Sequence, residues 1–266
     1  MCGRYALKTP TNIISQIFGA ELLERVEINP HYNIAPTFQI PIVRYDSDKK
    51  ERIIKRDYWG IVPYWAKNPK IAAYTSNARA DGVAEKPSFK RAFEKMRCLV
   101  IMDGFYEWER STKPSQPYYF SMKDQQPFAC AGLYETWKVR WIEDESKKTT
   151  TPQKAVKPKK EPKPPKPIVW PINLGGKKYN QGDELESCTI ITTEANSLME
   201  KVHDRMPVIL DPKDYDSWLN PAINDPGTLK ALLKPFPASM MQCWPVSRNV
   251  NNVAKDDSEN CIKKIE

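Results

Sequence analysis

The cysteine at position 2 offers the most distinctive chemistry in this sequence. Methionine aminopeptidases generally remove the initiating methionine before a small residue, so we expect the mature chain to begin with Cys2. Its α-amine and its thiol, with ordinary pKa values of about 7.7–8.0 and about 8.5, both have a reactive fraction near neutral pH. Such an aminothiol condenses with an aldehyde, because the amine forms an imine and the thiolate then closes a thiazolidine ring. Many proteins carry an unused cysteine here, so this chemistry requires partner residues.

Three further residues have side chains that orient reacting groups or move protons. Asn77 lies in the run TSNARAD, where an asparagine ordinarily forms a turn. Glu107 follows a predicted strand and a glycine turn, between Tyr106 and Trp108. That context allows an apolar pocket, in which a carboxyl group holds its proton more tightly, or an exposed strand position. His203 lies in VHDRMPV before a predicted strand, where a histidine is either catalytic or structural.

Secondary structure must bring these four residues together, and the hydrophobic pattern predicts both helices and strands. Runs of β-branched and apolar residues predict strands, and apolar residues at helical spacing predict helices. The predicted strands cover 53–61, 97–102, 117–122, 127–133, 188–193, 206–210 and 241–246, and the predicted helices cover 10–18, 88–96, 194–202, 212–219 and 228–233. Because helices and strands do not alternate regularly, the pattern favours an α+β fold over a doubly wound parallel sheet.

Length and composition exclude several classes of protein. The chain has 266 residues, of which 40% are hydrophobic, which is enough for a sizeable core. Its apolar stretches are shorter than the roughly 18–20 residues that cross a membrane, and its N-terminus lacks the apolar segment of a secretory signal. We therefore expect an intracellular protein with no membrane partner. No heptad or long apolar stripe is visible, so we also expect a monomer.

The cysteines and histidines do not form a recognisable metal or disulfide pattern. The chain has six cysteines and two histidines, and no two cysteines form a C-x-x-C pair. An intracellular protein also has little reason to form disulfides. Cys98, Cys130 and Cys188 lie in apolar runs, so we expect them to be small hydrophobic residues of the core. His31 is expected to be structural. We predict no metal site and no cofactor.

The net charge of +8 is concentrated in one segment of the chain. Residues 147–167 contain eight lysines and one glutamate, so this segment alone carries +7. It is rich in proline and has no hydrophobic pattern, which predicts a disordered Lys/Pro-rich insertion at 141–167. Residues 1–140 and 168–262 then form one domain. The insertion is a solvated loop, a nuclear-localisation signal or a non-specific DNA tether, and its lysines favour a nuclear location.

Seven short motifs, in order, resemble those of the SRAP family of abasic-site processing proteins. They are MCGR at 1–4, NIAP at 33–36, WGIVPYW at 59–65, SNAR at 76–79, GFYEW at 104–108, HDRMP at 203–207 and PVSR at 245–248. The resemblance runs from the first residue to about residue 261, interrupted by the insertion. It implies a single SRAP-type α+β domain, with a barrel-like mixed β core, flanking helices and a positively charged groove for single-stranded DNA.

The resemblance also implies roles for the four chemical residues. Cys2 matches the family's nucleophile, which captures abasic sites covalently. Asn77 matches the residue that orients the reacting centre by hydrogen bonding. Glu107 matches the acidic residue that assists proton transfer. His203 matches the residue that promotes sugar ring opening, Schiff-base formation and loss of the 3′ phosphate. Family members are also thought to cleave off their own N-terminal methionine or pro-segment, so lyase and autopeptidase chemistry accompany the expected crosslinking.

The same resemblance predicts where DNA is bound. Arg4, Arg79 and Arg205 are expected to contact phosphates, although each arginine also fits a surface salt bridge. Pro36 and Trp65 are expected to pack against bases beside the gap left by the missing base. The expected partners are therefore single-stranded DNA containing abasic sites and replication-fork factors.

Two other functions use parts of the same pattern. An N-terminal-nucleophile amidase or peptidase also combines a processed Cys2 with a nearby asparagine and histidine. It would turn over amide substrates without DNA. A non-covalent reader of single-stranded or modified DNA would leave Cys2 unused, and its complexes would dissociate in denaturant.

Overall fold

The computed structural model describes residues 2–23, 28–109, 111–139 and 172–266, so the predicted insertion at 141–167 lies outside the described residues. The strands are β1 (Tyr5–Leu7), β2 (Ala20–Leu22), β3 (His31–Ile34), β4 (Gln39–Asp46), β5 (Glu51–Trp59), β6 (Asn77–Arg79), β7 (Arg97–Met102), β8 (Gly104–Glu109), β9 (Gln116–Met122), β10 (Phe128–Lys138), β11 (Ile172–Leu174), β12 (Lys177–Tyr179), β13 (Glu184–Glu194), β14 (Arg205–Pro207) and β15 (Met241–Pro245). The α-helices are α1 (Thr11–Phe18), α2 (Lys90–Lys95), α3 (Tyr215–Leu219) and α4 (Pro226–Ala231), and a 3-10 helix covers Pro69–Tyr74. This mixture confirms the predicted α+β class.

Five strands close into a small barrel, which confirms the expected barrel-like mixed β core. Neighbouring strands follow the order β13, β10, β7, β4 and β5, each antiparallel to the next. A parallel contact between β5 and β13 completes the ring, pairing Tyr58 with Ser187 and Trp59 with Cys188. Closure leaves these five strands without open edges along the paired region.

The strand registers place small and apolar side chains inside the barrel. Val100 stands opposite both Ile42 and Cys130, and because side chains alternate between the two faces, these three residues point the same way. A Cβ atom at Gly132 would lie 2.8 Å from Cys98 Sγ and 2.9 Å from a methyl carbon of Val100, so only glycine fits there. The three cysteines predicted to be core residues are all fully buried.

The interior of the barrel also contains a buried ion cluster. Arg44 lies on the same strand face as Ile42 and forms ion pairs with Asp57 and with Glu186, the latter at 2.9 Å. Asp57 is fully buried, and the guanidinium carbon of Arg44 lies 3.8 Å from the ring centre of Tyr134. Because each charge has a partner of opposite sign, the interior can hold them without an unpaired buried ion.

A second, five-stranded sheet holds the N-terminal strand in place. Its order is β15, β9, β8, β1 and β3, so β1 has a neighbour on both sides. The β1–β8 register pairs Tyr5 with Phe105. Beyond β1, Asp103 accepts the backbone N–H groups of Lys8 at 2.6 Å and Thr9 at 2.9 Å. β1 is therefore held by backbone pairing with its two neighbouring strands, and the residues that follow it are held by hydrogen bonds to the Asp103 carboxylate.

The structure corrects one predicted helix. Residues 194–202 were expected to be helical, but β13 continues to Glu194 and turns follow it. The Asn196 side chain accepts the N–H groups of Leu198 and Met199 and donates to the carbonyl of Phe236. These bonds fix a compact turn that leads directly into β14.

Among the described residues, no helix is long and apolar enough to cross a membrane.

Candidate active site

Cys2 is placed by the pairing of the N-terminal strand with β8. Tyr106 donates its backbone N–H to the carbonyl of Arg4 at 2.9 Å, which carries the β1–β8 pairing beyond Tyr5 toward the N-terminus. Arg4 thus faces Tyr106, and the next pair in the same register would be Gly3 and Glu107. Cys2 is fully buried at this point. The fold thus places the predicted nucleophile just before β1, close to the predicted acid on β8.

Asn77 contacts Cys2 directly. It begins β6, which runs parallel to the end of β13 with Asn77 opposite Ile190. Its Nδ2 donates a hydrogen bond of 2.9 Å to the carbonyl oxygen of Cys2. The Oδ1 of Asn77 is buried and accepts no hydrogen bond from the described residues. Asn77 therefore holds Cys2 in place through its donor and keeps a buried acceptor oxygen on the same side chain.

His203 and Glu107, the two residues predicted to move protons, lie next to each other. His203 Nε2 lies 4.0 Å from Glu107 Oε2, and both side chains are buried. The backbone N–H of Arg205 donates to His203 Nδ1 at 3.0 Å, so we assign the proton of the neutral ring to Nε2, which faces Glu107. Asp204 Oδ1 also lies 3.0 Å from Nδ1, but the Asp204 side chain is 87% exposed. We therefore take the N–H of Arg205 as the group that determines the tautomer of the neutral ring. When both ring nitrogens carry a proton, the Nδ1–H can donate to Asp204.

Burial and charge both suppress ionisation of the Cys2 thiol. Burial raises its pKa well above the ordinary value, and the negative charge of Glu107 raises it further. The thiol is therefore overwhelmingly protonated at neutral pH. An α-amine released at the same residue has an ordinary pKa of about 7.7–8.0, so the amine is better suited to the first attack on a carbonyl.

Two of the predicted phosphate contacts lie together at the end of β13. Arg79 stands opposite Thr192 in the β6–β13 register, and Arg205 Nη2 donates to the carbonyl of Thr192 at 2.6 Å. Burial lowers the pKa of Arg205, and the positive charge of Arg79 lowers it further. Both arginines therefore lie beside Thr192, close enough for the charge of Arg79 to act on Arg205. Arg79 also forms a bidentate ion pair with Asp81, at 2.8 and 3.1 Å.

Arg4 is held more firmly than a surface residue would be. Its Nη1 donates to Asn33 Oδ1 and to the carbonyl of Val250, both at 2.6 Å. Its guanidinium carbon lies 5.9 Å from the ring centre of Trp108, whose indole N–H donates to Asn251 at 2.6 Å. Arg4 therefore links the N-terminal strand to the C-terminal segment, whether or not it also contacts DNA.

The two residues predicted to pack against bases lie outside the buried core. Pro36 is partly buried in the turn between β3 and β4, where the next residue, Thr37, donates its N–H to the carbonyl of Trp59 at 2.8 Å. Trp65 is 44% exposed, and its indole N–H reaches the carbonyl of Pro87 at 3.3 Å. Trp65 thus presents an aromatic surface in a fixed orientation.

Sequence reasoning did not single out three residues that shape this site. Asp81 neutralises Arg79, and the two-residue spacing within TSNARAD was a visible signal for that pair. Trp108 lies under Arg4 and belongs to the GFYEW motif, which was a second signal. Tyr5 is fully buried with its ring centre 5.3 Å from that of Trp59, and no pattern in the sequence indicated that contact. Within the described ranges, no three His, Cys, Asp or Glu residues are grouped so as to hold a metal ion.

The sequence matches the family model described as SOS response associated peptidase (SRAP) over residues 1–253. This chain belongs to the SRAP family. Among SRAP relatives, it is 35% identical over 261 residues to the abasic site processing protein YoqW of Bacillus subtilis (strain 168), in an alignment that covers 97% of this chain and 98% of YoqW. It is also 28% identical to the abasic site processing protein HMCES of Xenopus tropicalis, covering 89% of this chain and 66% of HMCES.

The fold of this chain is also found in a solved structure. A crystal structure of a protein from Bacteroides thetaiotaomicron superposes with a TM-score of 0.74, covering 100% of both chains. The two sequences are only 24% identical, so this likeness concerns the fold.

Proposed function

We propose that this SRAP protein captures abasic sites in single-stranded DNA by forming a covalent bond through Cys2. The observation that carries the proposal is the contact between Asn77 and the carbonyl of Cys2, beside a buried Glu107 and His203. The names of the relatives YoqW and HMCES, both described as abasic site processing proteins, support the same substrate. An abasic sugar supplies the aldehyde that an N-terminal aminothiol requires.

The proposed reaction begins after removal of the initiating methionine. The abasic sugar opens when the bond between C1′ and the ring oxygen breaks, which requires a proton at the ring oxygen and loss of the C1′ hydroxyl proton. The Cys2 amine then adds to the aldehyde carbon, and loss of one water gives an imine. The Cys2 sulfur adds to the imine carbon while its proton passes to the nitrogen. The product is a thiazolidine that joins protein and DNA, and the protein is consumed.

His203 and Glu107 are suited to the proton transfers in this sequence. An imidazole and a carboxylate can both exchange protons near neutral pH. As an imidazolium with its Nδ1–H facing Asp204, His203 can protonate the ring oxygen and later the departing hydroxyl group. Glu107 can accept the proton of the C1′ hydroxyl and pass it to His203, which restores both groups for the next step. It can then carry the proton of the thiol, whose pKa is too high for spontaneous ionisation, to the imine nitrogen. Asn77 keeps Cys2 in place throughout.

DNA binding is assigned to the residues around this centre. Arg79 and Arg205 form a basic pair suited to a phosphate, and Arg4 supplies further positive charge beside Trp108. Pro36 and Trp65 pack against bases next to the abasic position. Loss of the 3′ phosphate from the imine and cleavage of the chain's own N-terminus are secondary activities of the same residues. Binding to replication-fork factors and a nuclear location stay predictions.

Intact mass spectrometry of the reacted complex tests this proposal. The expected mass is that of the protein without Met1, plus the abasic strand, minus one water. Unreacted protein with a processed N-terminus, or rapid turnover of small amides, would contradict the proposal, and the latter would favour an amidase. Complexes that form equally well on intact strands and dissociate in denaturant would instead indicate a non-covalent reader.

A further inference from the structure

An exposed aromatic surface lies in the connection between β5 and β6. Tyr64 and Trp65 are each 44% exposed, and Tyr74, three residues before Asn77, is 88% exposed. The same connection donates the Ile61 N–H to the carbonyl of Thr75, so its two ends are held close together. These aromatic rings are therefore presented on a loop that leads directly to the candidate active site.

Tyr64 packs against Arg91, which in turn contacts a buried carboxylate. The guanidinium carbon of Arg91 lies 4.5 Å from the centre of the Tyr64 ring, and Arg91 Nη1 lies 3.3 Å from Glu135 Oε1. The Glu135 side chain is buried, which raises its pKa, while Arg91 and the backbone N–H of Tyr64 both lower it. One buried carboxylate thus lies beside both members of what we term the Tyr64–Arg91 pair. A stacking surface that is already oriented loses little conformational entropy when it binds a ligand.

The charge of the surrounding surface suits a polyanion. Residues 61–75 and 86–91 contain five lysines and arginines and no acidic residue. The adjacent Glu85 is neutralised by Lys230, at 2.6 Å. The chain outside the Lys/Pro-rich segment is nearly neutral, so this is a local concentration of positive charge.

We propose that the Tyr64–Arg91 pair binds one nucleotide of the single-stranded DNA that flanks the abasic position, with the base stacked on the pair and a phosphate near Arg91. This inference rests on the proposed function and extends its DNA site beyond Trp65. Unpaired bases expose their faces to aromatic rings and guanidinium planes, whereas bases in a duplex are stacked on one another. The combination of exposed ring, oriented guanidinium and local positive charge therefore favours a single strand.

The test measures the dissociation constants of fluorescent strands without an abasic site, so that it does not depend on crosslinking. A short strand of about five nucleotides is compared with strands extended by about six nucleotides on the 5′ or the 3′ side. The readout is the ratio of the dissociation constant of the short strand to that of each extended strand. Tyr64→Ala is compared with Tyr64→Phe, which keeps the ring, and with Met240→Ala, which removes an exposed apolar side chain elsewhere.

We expect Tyr64→Ala to reduce this ratio by roughly five- to tenfold for one of the two extensions, and Tyr64→Phe to retain it. Melting temperatures establish that each variant is folded. An unchanged ratio in Tyr64→Ala would overturn the inference, as would an equal weakening of the short and extended strands or the same effect in Met240→Ala. If the wild-type protein binds these strands but never crosslinks to abasic DNA, the proposed function is wrong. The inference about the Tyr64–Arg91 pair is then still decided by the ratio of dissociation constants measured for Tyr64→Ala.

Discussion

The hydrogen bond from Asn77 to the carbonyl of Cys2 gives a quantitative prediction for the crosslinking rate. Asn77→Ala removes the donor, which lies 2.9 Å from the carbonyl oxygen. A typical hydrogen bond contributes about 0.5–1.5 kcal/mol, but a buried acceptor left without its donor costs about 1–3 kcal/mol. If this loss falls entirely on the transition state, the rate of crosslinking decreases roughly 5- to 150-fold.

Asn77→Asp is a sharper version of the same perturbation. It keeps the shape of the side chain but places a carboxylate oxygen against the Cys2 carbonyl oxygen. It also adds a second negative charge near a thiol whose pKa is already raised by Glu107. We therefore expect Asn77→Asp to crosslink more slowly than Asn77→Ala.

The assay is a single-turnover time course with excess protein over a strand that contains one abasic site. Mass spectrometry must first show that Met1 has been removed from each variant. Asn252→Ala serves as the control, because the Asn252 side chain caps an exposed turn by accepting the Ala254 N–H. If fully processed, folded Asn77→Ala crosslinks at the wild-type rate, the positioning role assigned to this hydrogen bond is wrong.

Three further variants test the electrostatics of the fold and the site. Glu107→Gln removes a charge that raises the pKa of the Cys2 thiol, so Cys2 should be alkylated faster at pH 8 while crosslinking becomes slower. Mass spectrometry measures the alkylation of Cys2, and an unchanged rate would contradict this prediction. In the wild-type protein, alkylation should increase about tenfold per pH unit up to pH 9, since the raised pKa leaves the thiol mostly protonated throughout this range. Asp81→Asn frees Arg79 from its ion pair, so binding of single-stranded DNA at low salt should tighten by up to about fivefold in fluorescence anisotropy, and weaker binding would refute a phosphate role for Arg79. Arg44→Met leaves Asp57 buried without its main partner and should lower the free energy of unfolding in urea by about 3–5 kcal/mol, whereas a loss under about 1 kcal/mol would show that the ion cluster is dispensable.

Local elements of the fold were predictable where the sequence contains its own stop signals. The first helix was predicted at 10–18 and is found at Thr11–Phe18, because Gly19 adopts the left-handed conformation, with φ of 54°, that ends it. The strand predicted at 97–102 is found at Arg97–Met102, since its apolar run fits a strand buried on both faces. The helix predicted at 194–202 was wrong, because Asn196 redirects nearby N–H groups to its own side chain.

Long-range geometry was not accessible from local pattern. Closure of the barrel depends on the parallel contact of Trp59 with Cys188, which no local sequence signal encodes. The grouping of Cys2 with Asn77, Glu107 and His203 was expected from the family resemblance, not from spacing. Their proximity depends on β1, β6, β8 and the turn before β14, which are distant in sequence.

The central claim is covalent capture through Cys2, and a denaturing gel tests it most directly. Purified protein with its N-terminal cysteine confirmed free is incubated with single-stranded DNA bearing one abasic site, beside an intact strand and a Cys2→Ala variant. We predict a shifted band that survives denaturant only when both the abasic site and Cys2 are present. Absence of that band, or an equally strong band with the Cys2→Ala variant, would contradict the proposed mechanism.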